Sequence, residues 1–161
     1  MTKKLYKEIG SLSIHSVLEE DSGVIKVSLN ETGYVEVSIS ETHEHGMIAE
    51  IDLTFEEYER VLKAVDKAND ILLSDIFHQE RYTVDFINVS GSSLNRQGFI
   101  SVNVFEHSII LVVSLTRGAD ADIMIGKEEI SLLVSLFKKV EMIFDNKQIY
   151  PHETPTSASS E

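Results

Sequence analysis

The sequence has no cysteine, and this absence excludes several kinds of site. Disulfide bonds, cysteine-ligated zinc centres and thiolate nucleophiles all need that residue. Because the lack of cysteine fits a reducing compartment, we expect a cytoplasmic protein that folds without covalent cross-links. At 161 residues the chain suits one compact domain, or two small halves that share a hydrophobic core.

Long hydrophobic runs are also missing. No apolar run approaches the roughly 20 residues that a membrane-spanning helix needs. The first eight residues carry Lys3, Lys4 and Lys7 instead of the apolar core of a signal peptide. We therefore expect no membrane partner.

Basic residues are scarce. Lysine and arginine together number 14 against 27 acids, which gives a formal net charge of -13. Such a charge repels nucleic acids and anionic membranes at long range and favours basic partners. Lys26 is the only base between Gly10 and Leu53, so the first half of the chain is the more acidic one.

The spacing of apolar residues predicts both strands and helices. Residues 34–40 and 47–53 alternate between apolar and polar side chains, which is typical of half-buried strands. From Thr54 onward the apolar residues recur about every 3.6 positions, as on an amphipathic helix. Thr54 and Glu57 have the spacing of a capping box, so we expect this helix to begin there.

Residues 99–144 repeat this order, which indicates one unit used twice. Corresponding positions are offset by 73 to 75 residues along the chain. The predicted fold class is α+β, a duplicated unit of four antiparallel strands followed by one helix, packed about a pseudo-twofold. The predicted strands cover 11–18, 24–29, 34–40, 47–53, 82–89, 99–105, 109–115 and 121–125, and the predicted helices cover 54–73 and 128–144.

This pattern also predicts the segments of the chain. We expect a basic N-terminal arm over 1–9, a first strand-helix repeat over 10–73, a linker over 74–81, a second repeat over 82–145 and a disordered polar tail over 146–161. Phe77 is placed to help the two halves dock. Leu132, Leu136 and Ile143 widen the apolar stripe of the second helix, so we expect that helix to be the more deeply buried one.

No motif in the sequence predicts a catalytic, cofactor or metal site. His43 and His45 lie with two glutamates in one loop, and their spacing fits solvated side chains better than a metal centre. Asp120 and Asp122 have the pattern of a charged turn, and residues 90–93 that of a flexible connection. No serine lies in the sequence context of a nucleophile elbow. We therefore expect a non-enzymatic protein without a cofactor.

One predicted strand carries aromatic residues on its outer side. If Ile100 and its alternate neighbours point into the core, Phe99 and Phe105 point outward, where rings can stack on the bases of a single-stranded nucleic acid. Exposed aromatic patches also mark contacts between halves or between subunits. The candidate nucleic-acid-binding residues are Lys26, Tyr34, Arg96, Phe99, Asn103, Phe105 and Arg117.

Four antiparallel strands followed by a helix, used twice, resemble the single-stranded DNA-binding superfamily of the Whirly proteins, the Pur-alpha repeats and the positive transcriptional coactivators. Residues 51–58, Ile-Asp-Leu-Thr-Phe-Glu-Glu-Tyr, are similar to the way those coactivators pass from a last strand into a helix on an aromatic residue. The resemblance implies a transcription or replication accessory protein, with Lys26, Tyr34, Phe99 and Asn103 as counterparts of the contact residues. Glu36, Glu50 and Asp52 stand where that family has positive charge.

Two alternatives remain open. One is an acidic inhibitor or adaptor that docks on a basic surface of a nucleic-acid enzyme, where carboxylates replace phosphates. The other is a homo-oligomer whose interface covers Phe99 and Phe105. The carboxylates expected to act in the first alternative are those of Glu36, Glu50, Asp52, Glu56 and Glu59.

Overall fold

The structure is a computed structural model that describes residues 5–14, 22–30, 32–74 and 78–147. The first unit contains strands β1 (Leu5–Ile14), β2 (Gly23–Asn30), β3 (Val35–Glu41) and β4 (Ile48–Leu53), followed by helix α1 (Phe55–Leu73). The second contains β5 (His78–Val89), β6 (Gly98–Glu106), β7 (Ser108–Leu115) and β8 (Asp120–Ile125), followed by helix α2 (Ile130–Lys147). The predicted α+β fold with duplicated units is confirmed.

Each unit forms one antiparallel sheet in chain order, β1-β2-β3-β4 and β5-β6-β7-β8. In the first sheet Val27, Val37 and Ile51 lie in one row across three strands. In the second sheet Ile100 pairs with Ile87 and Val113. These side chains are fully buried, so we call the face that carries them the inner face of each sheet and the opposite face the outer face.

The capping box predicted at the start of α1 is present. The Thr54 hydroxyl accepts a hydrogen bond from the Glu57 amide at 3.1 Å, and the Glu57 carboxylate accepts one from the Thr54 amide at 2.9 Å. The predicted stripe of α1 is buried at Tyr58, Leu62 and Val65.

The burial of the apolar side chains of helix α2 differs from the prediction at one residue. Leu136 is buried and Ile143 is half-buried, but Leu132 is 53% exposed. The apolar stripe of α2 is therefore narrower than predicted at Leu132. The predicted burial was wrong for Leu132 because this residue lies in the first turn, on the side of the helix away from the sheet that α2 covers.

Each helix packs on the sheet of the other unit. Helix α1 lies mainly on β5 and β6, whereas α2 lies on β1, and the two helices contact each other. A Cβ atom at Gly10 of β1 would come within 2.8 Å of a Leu136 methyl group, so this glycine permits the close approach of α2. The other half of each sheet packs against its counterpart, β3 and β4 against β7 and β8. Each unit thus supplies the helix that covers the sheet of the other, as a pseudo-twofold relation requires. All of these elements share one hydrophobic core.

Strand boundaries differ from the prediction at the start of each unit. Strand β1 begins at Leu5, within the segment predicted as an arm, because its backbone pairs with β2 along Leu5–Ile14. Strand β5 likewise begins at His78, within the predicted linker, where it pairs with the end of β6. Residues 15–18 of the first predicted strand, Phe77 and residues 148–161 of the tail lie outside the described residues.

Among the helices described, neither has the length and apolar character needed to cross a membrane.

Candidate binding surfaces

The outer face of the second sheet carries the aromatic residues that the sequence singled out. Phe99 lies beside Asn88 of β5 and Ser114 of β7, and the next outward row contains Phe86, Ser101 and Val112. The Phe86 and Phe99 rings are stacked, with centroids 4.4 Å apart and planes inclined by 26°. Phe86 is 46% exposed, so the pair presents a ring surface to the outside.

Phe86 was missed by the sequence reasoning, although a signal was present. Ile87 and Val89 of the same strand are buried, and strict alternation then places Phe86 on the opposite face. Aromatic neighbours on adjacent strands gain from stacking beyond their buried area. The aromatic surface is therefore built by two strands, β5 and β6, and not by β6 alone.

A cavity of about 230 Å³ opens on the same face. Ile110 and Met124 lie opposite each other on β7 and β8 and form part of its wall together with Phe105. Arg81 and Asp122 also line the cavity, and both are exposed. The outer face of the second sheet thus combines an aromatic pair with an open cavity that has an apolar wall and one charge of each sign.

Asn103 lies on this face but is only 2% exposed. Its amide nitrogen donates to the Ser101 hydroxyl at 3.0 Å and to the Ile110 carbonyl at 3.1 Å, and its amide oxygen lies 2.7 Å from the Thr83 hydroxyl. Asn103 therefore lies on the outer face as predicted, but it is not available to a ligand, because these neighbours already satisfy both ends of its amide. Asn103 fixes the floor of the surface and does not offer a free polar group.

The predicted binding residues do not form one surface. Lys26 is exposed on the outer face of the first sheet, and Tyr34 is half-buried just before β3, where its amide donates to the Asn30 side chain. Arg117 is exposed in the turn between β7 and β8. The duplication explains this separation, since equivalent strands of the two units belong to two different sheets.

Arg96 lies on the first sheet although its chain position belongs to the second unit. Its guanidinium is 2.5 Å from the Glu36 carboxylate and 3.1 Å from that of Glu50. The positive charge predicted to contact nucleic acid is thus paired with two of the carboxylates predicted to contact a basic partner.

The loop of residues 90–97, here called the crossing loop, makes further contacts with the first unit. The Ser92 hydroxyl is hydrogen-bonded to the buried Asp52 carboxylate, and the Ser90 amide donates to Glu57 at 3.1 Å. The prediction of a flexible connection over 90–93 missed these contacts because the acceptors lie 33 and 40 residues earlier in the chain. The loop is anchored at three places, through Ser90, Ser92 and Arg96.

Basic residues of α1 line a groove of about 350 Å³ beside β5. Arg60 donates from Nε and Nη2 to the two oxygens of Asp85 at 3.0 and 2.9 Å. Partial burial acts to raise the pKa of Asp85, but the hydrogen bonds from Arg60 and from the Phe86 amide, with the charges of Arg60 and Lys67, hold it below its usual value. Lys63 and Lys67 are exposed at the groove and keep a net positive charge there.

Within the described ranges of the chain, no three histidine or acidic side chains are close enough together to hold a metal ion. His43 instead lies 3.3 Å from the Glu41 carboxylate, within the β3–β4 turn. The Asp120 carboxylate accepts a hydrogen bond from the Ser114 hydroxyl at 2.5 Å. Asp120 and Asp122 lie in β8, paired with Ser114 and Val112 of β7, and not in the charged turn predicted for them.

No protein-family model, curated protein or solved structure matches the chain. The resemblance to the Whirly, Pur-alpha and coactivator superfamily stays a prediction.

Proposed function

We propose that this chain is a non-enzymatic binding module, and that its contact surface is the outer face of the second sheet. The observation that carries the proposal is the stacked, partly exposed pair Phe86 and Phe99, on the same face of the sheet as an open cavity with an apolar wall. Exposed apolar patches mark protein contacts, and a few anchor residues, aromatic ones among them, carry most of the binding free energy in such contacts.

An apolar segment of a partner protein is the occupant that this face supports best. The chain carries a net charge of -13, which opposes the approach of a polyanion. Arg96 is paired with carboxylates and Lys26 lies on the other sheet, so neither contributes a cation to this face. Ring stacking and apolar contact are then the main interactions that the face offers.

The test begins with a random peptide library displayed on phage and panned against the immobilised protein. We expect enrichment of peptides rich in aliphatic and aromatic residues, with affinities measured by fluorescence anisotropy on labelled synthetic copies. Phe86→Ser should weaken their binding at least about tenfold, the effect of losing roughly 1.4 kcal/mol at an aromatic anchor.

Leu132→Ser is the matched control, because Leu132 is exposed to a similar extent but lies on α2. We expect it to leave peptide affinity unchanged. Circular dichroism should show that both variants keep the fold. Equal weakening by the two substitutions, or no effect of Phe86→Ser, would contradict the assignment of this face.

Single-stranded nucleic acid is the second candidate, favoured by the geometry of the Phe86 and Phe99 stack and by the positive groove of α1 beyond the β5 edge. Base stacking on aromatic rings is worth roughly 1 to 3 kcal/mol per base. The measurement is anisotropy of labelled DNA and RNA oligonucleotides at about 50 and 200 mM salt. Saturable binding that Phe99→Ala abolishes would favour this candidate, and no binding at the lower salt concentration would remove it.

A second copy of the chain is a third occupant that the same variants can detect. Analytical ultracentrifugation of the wild type and of Phe86→Ser compares their association states. A dimer that Phe86→Ser dissociates would identify this face as a subunit interface and would replace the partner-segment proposal.

A further inference from the structure

The outer face of the first sheet already binds a guanidinium group, and that group comes from the chain itself. Arg96 lies between Glu36 of β3 and Glu50 of β4, within 2.5 and 3.1 Å of their carboxylates. The three side chains are 26%, 14% and 45% exposed, respectively. Solvent, and therefore another cation, can reach this cluster, most easily at Glu50.

The two rows of the sheet that carry the cluster are polar. Ser28, Glu36 and Asp52 form one row across β2, β3 and β4, and Lys26, Ser38 and Glu50 form the next row. Ser28, Ser38 and Asp52 are buried although they point away from the hydrophobic core. The surface is thus suited to hydrogen bonds and ion pairs, and its fixed charge is predominantly negative.

The crossing loop contributes little apolar packing to this position. None of the residues Leu94–Arg96 is buried, and Leu94 projects into solvent. The contacts of the loop with the first unit are polar ones, from Ser90, Ser92 and Arg96 to Glu57, Asp52, Glu36 and Glu50. Contacts of this type can be exchanged for equivalent ones from another chain, because an incoming arginine offers the same planar donors.

We propose that the outer face of the first sheet is a docking surface for an arginine-bearing segment of a partner protein, and that Arg96 occupies its central position until the partner displaces it. Charge complementarity selects the partner, since the two outer-face rows carry Glu36, Glu50 and Asp52 against one base, Lys26. Arg96 competes with the partner for this position. The apparent affinity for the partner is therefore the intrinsic affinity multiplied by the fraction of molecules in which the position is empty.

The test uses fluorescence anisotropy with a labelled oligoarginine peptide, and an oligolysine peptide of equal length for comparison. Arg96→Ala should bind oligoarginine at least about tenfold more tightly than the wild type, because the internal competitor is gone. Arg117→Ala is the matched control: it removes the same charge from an exposed turn of the second unit and should change the affinity less than about twofold. The gain for oligolysine should be smaller, since an ammonium group lacks the planar fork of arginine.

Glu36→Gln and Glu50→Gln, introduced together with Arg96→Ala, should abolish the gain. Arg96→Lys keeps the charge and should give a smaller gain in affinity for oligoarginine. This variant tests the proposal if Arg96→Ala does not fold. Equal gains from Arg96→Ala and Arg117→Ala would reduce the effect to net charge and overturn the proposal. A folded Arg96→Ala variant with lower thermal stability and unchanged affinity for oligoarginine would also overturn it, because Arg96 would then only hold the crossing loop on the first sheet.

This inference does not rest on the proposed function, since the two surfaces belong to different sheets. Phe86→Ser should leave oligoarginine binding unchanged, and Arg96→Ala should leave binding of the apolar peptides unchanged. Each proposal can therefore fail while the other holds.

Discussion

Tyr58 joins the two units at the scale of a single residue. Its side chain is fully buried in α1, and its hydroxyl donates to the Phe137 carbonyl of α2 at 2.6 Å. The two rings also contact each other, with centroids 5.4 Å apart. A buried hydroxyl is costly without a partner, so this hydrogen bond both satisfies Tyr58 and fixes the position of one helix against the other.

Tyr58→Phe should lower the free energy of unfolding by about 1 kcal/mol, because it removes the hydrogen bond and keeps the ring. Urea unfolding followed by circular dichroism measures the change. Tyr82→Phe is the control, since Tyr82 is exposed on β5 and should alter stability by less than about 0.5 kcal/mol. A Tyr58→Phe variant as stable as the wild type would mean that the hydroxyl makes no net contribution.

The same residue predicts how stability changes at alkaline pH. Burial, with a smaller effect from the Glu141 charge, raises the pKa of Tyr58 well above its ordinary value of 10.0. A raised pKa in the folded state makes a stabilising contribution that is complete below the ordinary pKa. Above pH 10 the unfolded chain loses this proton first, so stability falls as the pH rises. The fall should be steeper for the wild type than for Tyr58→Phe in urea titrations at increasing pH, and parallel curves would contradict this assignment.

The crossing loop shows what a single element contributes. Gly91 has a φ of +75°, in the left-handed region that disfavours residues with a side chain. A Cβ atom there would also come within 2.7 Å of the Arg96 carbonyl group. The glycine therefore permits the tight turn that brings Arg96 back over the first sheet.

Gly91→Ala should destabilise the protein by roughly 1 to 2 kcal/mol, which is the cost of a left-handed conformation for an L-residue. Gly126→Ala is the matched control, because the nearest atom to its added Cβ is 4.0 Å away. Thermal unfolding of the two variants under identical conditions measures the difference. Similar melting temperatures for the two variants would show that the loop adjusts without strain.

The elements themselves could be predicted from the sequence because their signals are local. Alternation identified the strands around Val37 and Ile100, and the Thr54 and Glu57 pair identified the N-cap of α1. The partners of Arg96 could not be predicted, since Glu36 lies 60 residues earlier and its position depends on how the two sheets pack. The Phe86 and Phe99 stack was half predictable: alternation within β5 and β6 places both rings on the outer face, but their contact follows only from the register between the two strands.

At the scale of the whole molecule, the exchange of helices makes the two units depend on each other. The buried face of α1, including Val61 and Val65, packs mainly on β5 and β6 of the second unit. In a separated first unit this face would lose most of its cover, and the inner face of the first sheet would lose both α2 and the strands β7 and β8. Neither unit then has a closed hydrophobic core of its own.

Separate production of residues 1–77 and 78–161 should therefore give two chains without stable tertiary structure. Each should show poor dispersion in an amide NMR correlation spectrum, and mixing the two should restore the dispersed spectrum of the intact protein. The comparison sample is the full chain with a protease site inserted between Ser74 and His78, cleaved after folding. Its two pieces should stay together in gel filtration and unfold in one cooperative transition, because the interactions between the units are noncovalent and shared in one core. A folded, monomeric 1–77 fragment would contradict this interdependence, since it would require α1 to pack on its own sheet.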